Sequence, residues 1–385
     1  MKVEQVYEIA NTMTKEILGE QAVVNEDLSN IVDLGKQFEN LDNAYDNYVR
    51  KLHDHIGKMV FVNRRYTGRA PSVVMDGWEY GSILEKIRAK MPEATENESW
   101  NLQDGASYDP NVFTAPDVAA KFYNKRVTFE IPISTTERQV KSSFSSAAQL
   151  NGFYSMIETG LQNSLTIKTD ELIMRTINNA IAETIYSEFP GGSYSGGSGV
   201  KAVNLLYLYN QAYSKSLTQA ACLRDPDFIR FSTQVIADYM DRLKVISTLF
   251  NIGGTEKFTS EDRLHVVMYS PFRRASEIYL QSDTFHDDLV KLPGAESVIY
   301  WQGSGTSYAF EDATNINVKT SGNHTVDIDG VLCVMFDRDA LGVSNVSRRV
   351  TTNYNPKAEF WNEWHKFDAG YFNDLDENCV VFFAK

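Results

Sequence analysis

The sequence predicts an α+β protein, and three observations lead there. Apolar residues recur at helical spacing from Ser145 to Ile185, the period drops to two on either side of a long polar stretch, and a mixed α/β segment separates that helix from a C-terminal run of strands.

The helix is the element around which the rest is arranged. After Ser145 and Ser146, which supply an N-cap, Leu150, Phe153, Ile157, Leu161 and Leu165 share a face, followed by Ile173, Ile177, Ile181 and Ile185. No proline interrupts them, and Gly152 and Gly160 each cost roughly 1 kcal/mol, which so long a helix tolerates. At ~1.5 Å rise per residue the rod is ~60 Å long, against a radius of ~21 Å for a compact chain of this size. A kink at the β-branched cluster Thr166–Thr169 is the alternative; the neighbouring segments favour an unbroken rod in an elongated subunit.

Ahead of it, residues 1–75 read as an arm of two or three short amphipathic helices. Val3, Val6, Ala10, Met13 and Ile17 mark one face, Leu28, Ile31, Val32 and Phe38 a second, and Tyr45, Tyr48, Leu52 and Ile56 a third that stops at Gly57. Such polar-faced helices pack on something else, a neighbouring copy being the expected support. His53 and His55 point to different faces of the third helix and are surface histidines, not a metal pair.

From Trp78 the period is two. Ile83, Glu85, Ile87 and Ala89 alternate with Leu84, Lys86, Arg88 and Lys90, and a return strand sets Val127, Phe129, Ile131 and Ile133 against Arg126, Thr128 and Glu130. Residues 92–117 between them are polar, with Trp100, Leu102 and Phe113 as their few apolar anchors. A two-stranded hairpin is marginal alone and so long a loop is usually functional. It is therefore expected to lie on another subunit, Lys86, Arg88 and Lys90 meeting acidic residues there, with Ile83, Trp100, Phe113, Arg126 and Glu130 in the same contact surface. A disordered insertion is the other reading.

Phe189–Gly199 is a Gly/Ser hinge and the clearest boundary in the chain. Lys201 follows its glycines, but the order of a phosphate-cradling loop is absent and no strand leads in. From there to Arg338 helices are expected over Phe228–Ile246 and Phe272–Leu280, and strands over Leu264–Tyr269, Ser297–Trp301, Ile316–Val318 and Val331–Phe336. The last 40 residues return to alternation through Val350, Thr352 and Tyr354, then Phe360, Asn362, Trp364 and Lys366, and close with Cys379–Phe383. Nine aromatics between Tyr354 and Phe383 give these strands core density, and the long helix is their expected cover.

Composition narrows the function. The 385 residues, 43% hydrophobic, suit two or three cored domains, and the start lacks the apolar run of a signal peptide, so a cytosolic protein with no membrane span is expected. Cys222, Cys333 and Cys379 lie far apart and read as buried small hydrophobes. A formal charge of −14 opposes nucleic-acid reading, so any DNA contact is loose. No hydrolase, metalloprotease, dinucleotide or metal-ligand motif is present, and no cofactor is expected. Asp337 and Asp339 around Arg338 read as a turn with a local ion pair, and His265 and His365 as core or interface histidines.

The order of parts resembles the major capsid proteins of tailed bacteriophages, with the Hong Kong 97-type capsid fold. The residues that carry the resemblance are Phe129-Glu130-Ile131-Pro132-Ile133-Ser134 running into Arg138–Phe144 and the helix, Phe336–Gly342, and Asn355–Phe360. The resemblance implies an N-terminal arm (1–75), an extended β-hairpin loop (76–134), a peripheral domain with a long spine helix (135–199), an inserted α/β axial domain (200–339) around fivefold and sixfold axes, and C-terminal strands of the peripheral domain (340–385). It implies no enzyme but a shell subunit assembled in the host cytoplasm into the virion capsid. Partners would be its own copies in hexamers and pentamers, a portal protein, packaged double-stranded DNA in loose contact and a scaffolding protein. Some members carry a fused scaffolding region longer than the segment ahead of the loop here, so a separate scaffolding protein is implied. Some join a loop lysine to a neighbour's asparagine; Lys86 or Lys90 with Asn345, Asn353 or Asn355 are available, and no such bond is expected. The shell of a bacterial encapsulating compartment and a soluble enzyme remain as alternative functions.

Overall fold

The computed structural model describes residues 84–92, 117–281, 296–303, 307 and 309–385, with scattered positions between 7 and 36, 69 and 75, and 94 and 115. The third arm helix with His53 and His55, and also Ile83 and Trp100, lie outside the described residues. The chain divides into two compact units: Met1–Glu79 with Arg126–Arg175 and Val343–Gly370, and Tyr80–Lys125 with Thr176–Gly342 and Tyr371–Lys385.

In the first unit, β3 (Arg126–Thr136) pairs antiparallel with β11 (Phe360–Asn373), which separates it from β10 (Leu341–Asn355). The alternation of β3 sends Phe129, Ile131 and Ile133 against the core and leaves Thr128 and Glu130 outside. That best-patterned strand therefore belongs here and is not the return strand of the hairpin. Its face needs a hydrophobic body to cover it, which this unit supplies through Leu150, Tyr154, Ile157, Leu161, Trp361 and Phe367. Thr136 ends β3 and caps α1 (Glu137–Ser143) in a reciprocal box with Gln139.

α2 (Ala147–Glu188) is one uninterrupted helix of 42 residues, so the unbroken rod holds and the kink does not form. Toward its end, over Thr176–Ile185, it is buried on nearly every side. Arg69 clasps Asp170 of α2 through Nε and Nη2, both at 2.7 Å.

The second unit is built on a mixed sheet ordered β4 (Ala202–Asn204), β12 (Cys379–Phe383), β9 (Val331–Asp337), β5 (Leu264–Tyr269) and β6 (Glu296–Val298). All seven residues of β9 are buried, which is why it reads as a continuous apolar run and not an alternating one. α3 (Leu205–Tyr213), α4 (Pro226–Leu243) and α5 (Ser270–Gln281) join its core through Tyr209, Phe228, Ile236, Tyr239 and Phe272. Asp225 caps α4 by accepting from Phe228 N–H, with Pro226 in the first turn. Cys379–Phe383 was expected on the long helix with the other C-terminal strands; it lies instead inside this sheet, parallel to β4 and antiparallel to β9. Its unbroken apolar run suits a strand covered on both faces. α6 (Phe310–Ala313) leads to a small hairpin of β7 (Ile316–Lys319) and β8 (Thr325–Ile328). Gly330 follows at φ +83°, where an added Cβ would sit 2.2 Å from the Ala384 carbonyl.

Candidate functional site

The hairpin itself is formed by β1 (Leu84–Ala89) and β2 (Val118–Tyr123), antiparallel, with Lys86 opposite Lys121 and Ile87 opposite Ala120. Lys90 N–H donates to Asp117 O at 2.8 Å and continues the pairing beyond the strands. Its period is two, but its faces are reversed. Lys86, Arg88 and Lys121 point toward the rest of the chain, whereas Ile87, Val118 and Phe122 are 67%, 53% and 63% exposed.

The inward cations meet three carboxylates on the turn that follows β11. Lys86 Nζ lies 2.9 Å from Asp374 Oδ2 and 3.4 Å from Glu377 Oε1, and donates to Asp339 O at 2.7 Å. Arg88 reaches Asp376 at 2.6 Å and Glu377 at 3.1 Å and also pairs with Asp374; Lys121 pairs with Asp374 and Asp376. Lys257 adds a fourth cation at 3.2 Å from Glu377. Burial works against the charge on Asp374, but the hydrogen bond and charge of Lys86 and the charge of Arg88 outweigh it and hold the carboxyl down at about 2. The Lys86 ammonium lies over the Phe372 ring, 5.6 Å from its centroid, and that ring packs at a tilt against Tyr123 with centroids 5.2 Å apart. Burial, then the Asp374 charge, raises the Tyr123 phenol well above its usual range.

This corrects the expected partner of Lys86 and Arg88: the acidic residues they meet belong to the same chain. The pairing joins residues far apart in sequence, and nothing local in either segment announces it. Lys90 is exposed and lines a cleft of about 390 Å³ between the hairpin and residues 248–257, and Phe113 is 86% exposed. Arg126 and Glu130 are not part of the hairpin. They lie on β3 in the other unit, where Glu130 is 3.4 Å from Lys366. Lys121, Val118, Phe122 and the acidic turn were missed. The run Asp374-Leu375-Asp376-Glu377 was the available signal, with its charge counterpart in Lys86 and Arg88.

Two other groups of titratable residues are structural. Asp337 accepts from Thr259 Oγ1 at 2.8 Å and from Asp339 N–H at 2.9 Å, so the turn forms as expected, but its ion pair is not local: both carboxylates pair with Arg263, which precedes β5. On β11, Glu363 and His365 are fully buried with Oε2 and Nε2 4.0 Å apart. Burial pushes the Glu363 carboxyl up to about 9, and burial together with the Arg348 charge pushes His365 down to about 4, so both are neutral at pH 7. His265 is half-buried against Phe336, and burial lowers its pKa as well. Among the described residues no group of three or more His, Cys, Asp or Glu is placed to hold a metal ion, and no helix is long and apolar enough to cross a membrane.

The sequence pattern of the family described as Phi29-like phage major capsid protein matches residues 10–383. The chain belongs to that family. It is thus a structural major capsid protein of the tailed-phage type, with the Hong Kong 97-like fold, that self-assembles into the icosahedral shell of the virion. No curated protein sequence matches it. Among solved structures, the capsid of Staphylococcus phage Andhra aligns with a TM-score of 0.50 at 8% identity, over 81% of this chain and 83% of that one. A chain from the structure of head fiber and inner core protein gp22 of native bacteriophage P68 aligns with a TM-score of 0.49 at 10% identity, over 84% and 86%. Family membership decides between the two shell readings in favour of the viral one.

Proposed function

We propose that the β1–β2 hairpin is the extended loop by which one subunit of the shell clasps its neighbour. The observation that carries this is its reversed amphipathicity: the charged face is satisfied within the chain, so the apolar face with Ile87, Val118 and Phe122 is left for another molecule to bury. An exposed apolar sheet face on a protein that works in many copies is a contact surface, and summing modest contacts over a lattice makes the assembly firm. In the same reading α2 is the spine of a peripheral domain, the second unit's mixed sheet with its helices is the axial domain around fivefold and sixfold axes, and pentamers and hexamers form in the host cytoplasm with scaffolding and portal proteins. The net charge of −14 suits a wall that repels packed double-stranded DNA and lets it slide.

The test is a chain carrying Ile87→Asp and Phe122→Asp. It should remain folded, with a melting temperature within a few degrees of the parent, and should yield no shells by electron microscopy. Normal particles from that variant would end the proposal.

A further inference from the structure

The hairpin is not the only apolar surface left open on the second unit. After α4 ends, the chain doubles back on itself: Ser247 N–H donates to Lys257 O at 2.9 Å, Lys257 N–H to Ser247 O at 3.1 Å, and Thr259 N–H to Leu243 O at 2.7 Å. Antiparallel pairing of Ser247 with Lys257 sets Ile246 beside Phe258 on the adjacent step. Val245, Ile246, Leu249 and Phe258 are 66%, 49%, 58% and 57% exposed.

This loop is held in shape. Asn251 accepts from Thr255 N–H at 2.8 Å and donates to its carbonyl at 2.6 Å, and Thr255 Oγ1 donates to Asp376 O at 2.8 Å. Through Asp376 and the Lys257–Glu377 pair it is fixed to the same acidic turn that anchors the hairpin. A fixed frame that turns large apolar side chains outward is a surface that a partner buries.

We infer that this loop is the seat on which the outward hairpin face of a second copy of the chain docks, Ile87, Val118 and Phe122 against Ile246, Leu249 and Phe258. The inference rests on the reading of the hairpin as a clasp and names the clasp's target. The occupant is another copy for three reasons. The chain builds a shell from copies of itself. Within one chain the two surfaces do not cover each other, since Ile87 and Phe122 stay 67% and 63% exposed and the loop residues about as much. The hairpin also cannot roll over to bury its own apolar face, because Lys86, Arg88 and Lys121 hold the opposite one. As the two surfaces differ, the contact is heterologous, each copy giving a hairpin to one neighbour and a seat to the other, the arrangement that closes rings.

The experiment uses the full chain under conditions in which the parent forms particles. Ile87→Lys and Phe258→Glu should each lower particle yield at least tenfold with no change in melting temperature, and the two together, which place Lys against Glu at every such contact, should restore particles. A second measurement does not depend on that balance: with Ile87→Cys and Phe258→Cys in one chain, oxidised particles should give a ladder of covalent multimers on a non-reducing gel. If Phe258→Glu assembles like the parent while Ile87→Lys does not, the seat is elsewhere and the clasp stands. If Ile87→Lys assembles normally, the clasp itself fails. Loss in both single variants without restoration in the double, or oxidised particles that run as monomers only, overturns the pairing.

Discussion

In β3, Phe129, Ile131 and Ile133 turn toward the core and Thr128 and Glu130 toward water, whereas in the β1–β2 hairpin Lys86, Arg88 and Lys121 turn toward the chain and Ile87, Val118 and Phe122 toward water. Both segments alternate with period two. What differs is the partner: β3 has the apolar stripe of α2 with Trp361 and Phe367, and the hairpin has the carboxylates of Asp374, Asp376 and Glu377. Alternation therefore tells which residues share a face but not which face is inside. A sheet with its charges inside is complete within the subunit only in its electrostatics; its hydrophobic side is unfinished.

The same substitution made in each sheet separates the two cases most sharply. Ile131→Asp should cost about 4 kcal/mol, by placing a carboxylate against the apolar core, and should be visible as loss of cooperative unfolding. Ile87→Asp, the single change on the hairpin, should move the melting temperature little and act on assembly alone. Equal destabilisation by both would erase the distinction.

Removing the hub of the charge cluster comes next. Asp374→Ala takes away the one carboxylate shared by Lys86, Arg88 and Lys121, leaving Asp376 and Glu377 to pair with them, and should cost about 3 kcal/mol, with faster hydrogen exchange in residues 84–89 and 118–123. Because Asp374 has a folded pKa of about 2 against an ordinary value of 3.8, its contribution is full above pH 3.8 and is lost as pH falls toward 2. Unchanged exchange at neutral pH would mean that other contacts fix the hairpin.

A smaller effect of opposite sign is expected on β11. Folded Glu363 keeps its proton up to about pH 9, whereas the unfolded chain loses it near 4.5, so stability falls as pH rises between those values. Glu363→Gln should therefore stabilise the chain by about 2 kcal/mol at pH 7, the gain growing with pH in a thermal-unfolding series. A variant no more stable than the parent at pH 8 would contradict this. Least of all, Glu130→Ala should change stability by less than about 0.5 kcal/mol, because the Glu130–Lys366 pair is partly in water.

What was legible in the sequence was local. α2 follows from its own spacing and lies within three residues of the expected span, and β5, β7 and β9 follow from their own apolar runs. The partners of strands were not legible. Val118–Tyr123 is Val-Ala-Ala-Lys-Phe-Tyr, in which two alanines blur the alternation, so the stronger pattern of β3 was assigned to the hairpin in its place. Cys379–Phe383 reads the same whether it joins β9 or any other apolar surface. The anchor of the hairpin is a pairing between Lys86 and Arg88 and residues nearly 290 positions later, and only the folded chain brings them together. Ile83 and Trp100 lie outside the described residues, and Arg126 and Glu130 were misplaced along with the strand they sit on.

The neutral Glu363–His365 pair gives the subunit two buried ionisable groups that hold one charge state over a wide span of pH. Between about pH 4 and about pH 9 neither side chain gains or loses a proton in the folded subunit. A container built from many such subunits keeps both groups uncharged across that span in every copy.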